Sequence, residues 1–247
     1  MSPLKLPKQS KTFCKGLKTI DTHKPIQIKI DKAELLRFLG YQDQAAVDKT
    51  VDEVCDACIE TMEKAAKPGF LYSYFDIEQK NDGVLLCGSS LLLKGKSISR
   101  HLEGCHRAAV FFLTLSNEAD KIIMQARFDV LRQLILDAAA SVYVEQLCDL
   151  VCQIIKSENE NLFLTERYGI GYGDLPLYHQ QELLTLLNAP KRLGLMATEE
   201  GILTPRKSVT AIIGLSRQER AGGYTSCDSC LLRGDCNYLT RGEHCGK

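Results

Sequence analysis

Four cysteines near the C-terminus, Cys227, Cys230, Cys236 and Cys245, follow the spacing C-x2-C-x5-C-x8-C. They lie in CDSCLLRGDCNYLTRGEHC, a stretch too broken by Gly and Asp for a helix and too polar for a core. Thiolate bonds to a metal or an iron–sulfur cluster can organise such a segment in place of apolar burial. The C-x2-C pair brings two thiolates of one turn to one centre, and Cys236 and Cys245 close it from a returning loop. Two disulfides, or four unrelated free thiols, are the competing readings. His244 could replace Cys245 as a ligand, but the four-thiol set is the simpler one.

A second constellation is the loop ERYGIGYGDLPLYHQQ, in which Gly169, Gly171 and Gly173 alternate with bulky residues. Alternating glycines allow positive φ and bring backbone groups against a flat ligand. Arg167 opens the loop with a planar fork suited to a carboxylate or phosphate. The loop is not a Rossmann fingerprint, because no apolar strand leads in and Pro176 follows. On its residues alone it is either a ligand site or a structural turn. Asp174 reads as a cap for the following helix, and His179 as a surface or capping residue.

The elements that must position these residues are legible from periodicity. Ile26, Ile28 and Ile30 alternate with polar residues and predict a short strand; Asp31 predicts the cap of a helix carrying Leu35, Leu36 and Leu39. Residues 44–66 predict a helix with Cys55 and Cys58 on its apolar face, where they read as core thiols. Strands are predicted over Phe70–Ile77, Gly83–Cys87, Leu91–Leu93, Ala108–Leu115 and Val209–Gly214, the fourth apolar enough to be central. Helices are predicted over 117–127, 129–156 and Gln180–Leu187. Ala138, Ala139, Ala140 and Ser141 in the second of these suggest tight helix–sheet packing. Without regular βαβ alternation the class is α+β, a mixed or antiparallel twisted sheet flanked by helices, with a small C-terminal four-cysteine lobe. The expected division is a basic tail over 1–24, a main domain over 25–216, and a linker and lobe over 217–247.

Composition narrows the function classes. With 247 residues, 45% of them hydrophobic, the chain can bury a full core. Lys+Arg and Asp+Glu are both 31, a balance that argues against nucleic acid. No apolar run reaches the ~18 residues of a membrane span. The N-terminus lacks the apolar core of a signal peptide, and 11 cysteines would leave one unpaired in an oxidising compartment. The expected location is a reducing cytoplasm.

The segment R-x-x-x-G-Y-x-x-x-P, formed by Arg167, Gly171, Tyr172 and Pro176, resembles the signature of the activation domain of cobalamin-dependent methionine synthase. GLMATEEGILTPRKSVTAIIGL (Gly194–Leu215) and DAAASVYVEQL (Asp137–Leu147) are similar to stretches flanking that domain's ligand site. With LLRFLG and the HLEGC turn at His101–Cys105, the chain looks like a stand-alone form of the family over Ile26–Leu215.

This resemblance implies binding of S-adenosylmethionine and docking on a corrinoid-binding methyltransferase, methionine synthase first among the candidates. Cob(II)alamin on that partner would be reduced by one electron, and the cob(I)alamin formed would take the methyl group. It implies that Arg167 holds the methionine carboxylate, that Gly169 and Gly171 offer backbone groups, and that Tyr172 stands between methyl donor and corrin face. It also implies an acidic ligand residue that falls here on Ser141, with Glu145 one turn later. The four-cysteine tail has no counterpart in the fused domain. Reducing the corrin needs a very low potential, which iron–sulfur clusters reach (to about −700 mV) and redox-silent zinc does not. A [4Fe–4S] cluster is therefore preferred to zinc, fed by a flavodoxin- or ferredoxin-like donor. Reactivation of another corrinoid protein, and a non-catalytic module with a structural zinc knuckle, are the alternatives.

Overall fold

A computed structural model describes residues 19–21, 28–41, 47–219, 233–236 and 239–241. After β1 (Thr19–Asp21) come α1 (Lys32–Phe38) and α2 (Lys49–Ala65). Next are β2 (Gly69–Lys80), β3 (Gly83–Leu86), β4 (Leu92–Lys94), α3 (Lys96–His101) and β5 (Arg107–Thr114). Then follow α4 (Ser116–Gln125), α5 (Val130–Glu158), β6 (Phe163–Leu164) and β7 (Tyr168–Gly169). The last elements of the body are α6 (His179–Leu186), α7 (Ala189–Leu193), β8 (Met196–Ala197), β9 (Leu203–Thr204) and β10 (Ser208–Ser216).

Among the described residues, eight strands form one sheet in the order β4-β3-β2-β5-β10-β6, with β1 on β2 and β7 on β10. Every pairing is antiparallel, so the α+β expectation resolves to the antiparallel form. β5 explains the layering. Ala109, Phe111 and Leu113 point into one apolar cluster shared with α1, α2, α4 and α5. Ala108, Val110 and Phe112 point into a second, shared with α3, α6 and α7. A strand buried on both faces must be apolar throughout, as this one is. Truncating Phe111 or Phe112, both fully buried, would cost about 3–5 kcal/mol. Ala139 and Ala140 of α5 are buried in the first cluster, where small side chains let the helix approach the sheet. Cys55 and Cys58 are buried there too.

One expected strand is absent. Ile28 and Ile30 belong to no strand, and Ile26 lies outside the described residues. The backbone there is served by side chains instead: Ile30 N donates to Glu63 Oε1 at 2.7 Å, Asp31 N to Gln146 Oε1 at 3.2 Å, and Gln146 Nε2 to Lys29 O at 3.1 Å. The alternation records burial of Ile30 against α2 and α5, not membership of a sheet. Asp31 caps α1 as expected, accepting from Ala33 N and Glu34 N. α2 begins later than its apolar pattern, because Asp48 accepts from Thr50 N and fixes the start at Lys49. No helix among the described residues is long and apolar enough to cross a membrane. Of the four C-terminal cysteines, Cys236 is described; Cys227, Cys230 and Cys245, like His244, lie outside the described residues.

Candidate functional site

β10 is fully paired with β5 on one side, from Ser208 to Leu215. On the other side it meets only β7, at Ala211 and Ile212, and β6, at Leu215 and Ser216. A cavity of about 1020 Å³ opens along this incomplete edge, walled by the second half of α5, the β6–β7 segment, the glycine loop and Ser208–Ala211. That volume is at the upper end for small-molecule sites.

Arg167 projects into it from the residue before β7. Its Nη2 lies 3.1 Å from Glu145 Oε2 and its Nη1 3.2 Å from Asp149 Oδ1. The second contact is out of line for a hydrogen bond, so buried Nη1 has no hydrogen-bond acceptor. Burial opposes the Arg167 charge, but Cys148, Glu145, Cys152 and Asp149 outweigh it and raise the guanidinium above its ordinary pKa. Burial pushes the Cys148 thiol up strongly, and the Cys152 thiol to about 11 despite the opposing Arg167 charge. Both are neutral thiols near neutral pH.

Two further buried polar atoms face the same cavity unsatisfied. Gln180 Oε1, on α6, and Thr210 Oγ1, on β10, have no hydrogen-bond partner in the described structure, and both residues line the cavity. Gln180 is 5% exposed and Thr210 3%. Buried polar groups without partners are uncommon. Among the described residues three of the five such atoms belong to residues lining this one cavity.

The glycine loop is a tight turn with individual reasons for its glycines. A Cβ at Gly169 would stand 2.8 Å from the Tyr172 ring, so Gly169 lets that ring fold over the backbone. Gly171 has φ +93°, and a Cβ there would lie 2.7 Å from Leu177. Tyr172 N donates to Gly169 O at 3.3 Å, and Tyr168 Oη donates to Tyr172 O at 3.0 Å. Asp174 caps a helix, though not the following one: its carboxylate accepts from Lys96 N and Ser97 N, both at 2.8 Å, at the start of α3. Burial raises its pKa, and these hydrogen bonds more than reverse that.

The structure thus brings Arg167, Gly169, Tyr172 and Cys236 to one cavity, while Gly171 shapes the loop against Leu177. Ser141 is not in the wall: its Oγ donates to Asp137 O and accepts from Lys207 Nζ at 2.9 Å. The carboxylates that face Arg167 are Glu145 and Asp149. With Cys148, Cys152 and Lys156 they form a polar stripe at helical spacing on α5, a pattern readable in sequence as an interruption of an otherwise apolar helix. Gln180 and Thr210 carried no local signal, since each is singled out by its surroundings. His179 is not a surface residue: it is buried, with Nδ1 2.5 Å from Glu182 Oε2 and Nε2 accepting from Lys94 N at 3.1 Å. The ring ties α6 to β4, a demand invisible from either segment alone.

No family model and no curated protein matches this sequence. Among solved structures the fold is similar to a crystal structure of the MetH reactivation domain bound to AdoHcy, at TM-score 0.57. Sequence identity is 12%, over 92% of this chain and 86% of that one. At that identity the likeness is one of architecture: this chain shares the α+β fold of that reactivation domain.

Proposed function

We propose that the cavity binds S-adenosylmethionine and that the chain takes part in reductive reactivation of a corrinoid methyltransferase, methionine synthase being the first candidate. The observation that carries this reading is the convergence of unsatisfied buried polar atoms from Arg167, Gln180 and Thr210 on one cavity. They offer a planar cationic fork, an amide and a hydroxyl, opposite the carboxylates of Glu145 and Asp149. An amino-acid carboxylate suits Arg167, an α-ammonium suits Glu145, and nucleoside polar groups suit the other two. The MetH reactivation domain, similar in fold, was crystallised with AdoHcy, the demethylated form of this ligand.

The chemistry asks little of side chains beyond placement. Methyl transfer from a sulfonium to cob(I)alamin is a direct displacement: the carbon–sulfur bond breaks and its electron pair stays on sulfur. No proton moves, so no general acid or base is required. Holding the methyl carbon in line can contribute about 7–11 kcal/mol. Tyr172, half exposed at the cavity wall, is placed to face an incoming corrin. From it an exposed apolar surface continues through Leu177, which abuts Gly171 and Gly201, to Tyr178, Met196 and Ile202. Such a surface suits docking of the partner's corrin-bearing domain.

Cys227, Cys230, Cys236 and Cys245 would hold a [4Fe–4S] cluster, which supplies low-potential electrons, received from a flavodoxin- or ferredoxin-like donor. Cys236 itself lines the cavity, which would place the cluster beside the methyl donor.

The test is calorimetry with AdoHcy on the parent chain and on Arg167→Ala. The parent should bind, and the variant should bind about 10–100-fold more weakly, the worth of one charge-assisted hydrogen bond. Absence of binding by the parent, or equal binding by both, sinks the assignment. Iron, sulfide and zinc analysis after anaerobic purification decides the cluster: one tightly bound zinc without iron would leave a structural knuckle instead.

A further inference from the structure

Cys236 and Leu239 line the same cavity as Arg167 and Tyr172, although the sheet that builds the rest of the wall ends at Ser216. Their joint placement has a local cause. Thr240 N donates to Cys236 O at 3.2 Å, and Leu239–Arg241 forms a short 3₁₀ turn. Cys236 and Leu239 are thereby carried on one small unit. Across the cavity stand Cys148 and Cys152, one helical turn apart on α5. Both are kept neutral by burial. Three sulfurs and a leucine therefore make an uncharged, polarisable part of the wall, beside the charged part formed by Arg167, Glu145 and Asp149.

We propose that Cys236 and Leu239 are ligand-contacting residues, so that the C-terminal segment completes the site and the ligand in turn holds that segment in place. The inference rests on the reading of the cavity as a site for S-adenosylmethionine and its product. An uncharged wall of thiols and leucine suits the apolar thioether portion of such a ligand, whose amino-acid end is drawn to the neighbouring guanidinium and carboxylates. Anything that displaces the segment, including loss of whatever its cysteines bind, then lowers ligand affinity, and by linkage the bound ligand opposes that loss equally.

The test uses the full chain with AdoHcy as probe. Leu239→Glu places a carboxylate in the uncharged wall and should raise Kd at least fivefold, with the thermal midpoint of the body unchanged. Independently, alkylation of Cys236 by iodoacetamide, followed by peptide mass mapping, should slow at least fivefold at saturating AdoHcy. Cys87, remote from the cavity wall, should react at an unchanged rate and serves as the internal control. If the parent binds AdoHcy while Leu239→Glu binds within twofold of it and the Cys236 rate does not move, the segment is a bystander and this inference alone falls. If the parent does not bind AdoHcy, the functional reading falls and takes this inference with it.

Discussion

At the scale of single residues, Gly171 and Cys152 make the sharpest demands. Gly171 adopts φ +93°, and any Cβ would press within 2.7 Å of Leu177. Gly171→Val should therefore abolish AdoHcy binding and lower stability by about 1–3 kcal/mol, read by calorimetry and urea denaturation. Unimpaired binding by a folded variant would reduce the loop to a turn with no ligand role. Cys152 bears on pH. Its folded pKa, pushed up to about 11 by burial, exceeds the ordinary 9.0. Above about pH 9 the unfolded chain sheds a proton that the folded chain retains, so stability falls as pH climbs from there towards 11. The thermal midpoint should drop less steeply over that interval in Cys152→Ala than in the parent. Identical slopes would show that Cys152 does not titrate differently in the fold. Of the site, Arg167, Gly169 and Tyr172 were legible because a planar cation and alternating glycines are distinctive wherever they occur. Gln180 and Thr210 were not, because their significance lies in the missing partner.

At the scale of elements, Asp174 joins two segments far apart in sequence. Its carboxylate supplies the cap that Gly95 cannot give to α3, and in doing so anchors the glycine loop. Asp174→Ala should cost about 1 kcal/mol of stability and also weaken AdoHcy binding, whereas Asp48→Ala, which removes the cap of α2, should cost a similar amount and leave binding alone. Equal effects on binding would deny the anchoring role. The same contact shows why α3 escaped the sequence reading: its six residues depend on a cap delivered from residue 174. Long, strongly periodic elements such as α5 and β5 were legible because packing on one face or two writes itself into the chain. Ile28 and Ile30 misled for the complementary reason, since burial on helices can imitate the alternation of a strand.

At the scale of the whole molecule, α5 links the apolar core to the site. Its inward face buries Ile135, Ala139, Tyr143 and Val151, and its polar stripe from Glu145 to Lys156 serves the cavity. Over its 29 residues, about 43 Å at the usual rise, one rigid rod fixes carboxylates, thiols and core together. The partner-facing surface is separable from that rod. Ile202→Asp and Tyr178→Asp should leave AdoHcy affinity within twofold while slowing methylation of a corrinoid partner at least tenfold when cob(I)alamin is generated chemically. Unchanged rates would place docking elsewhere.

The unequal flanks of β10 imply that the molecule opens from one side. Its bonds to β5 run the length of both strands, whereas β6 and β7 offer two residues each. In hydrogen–deuterium exchange, amides of β5 should be among the last to exchange, requiring global unfolding, while those of Tyr168 and Gly169 open locally and early. A ligand bridging Arg167 and Thr210 would pin β7 to β10, slowing the early amides while raising protection of the late ones only by the binding free energy. The site could thus fray and reseal many times within the lifetime of a single folded core.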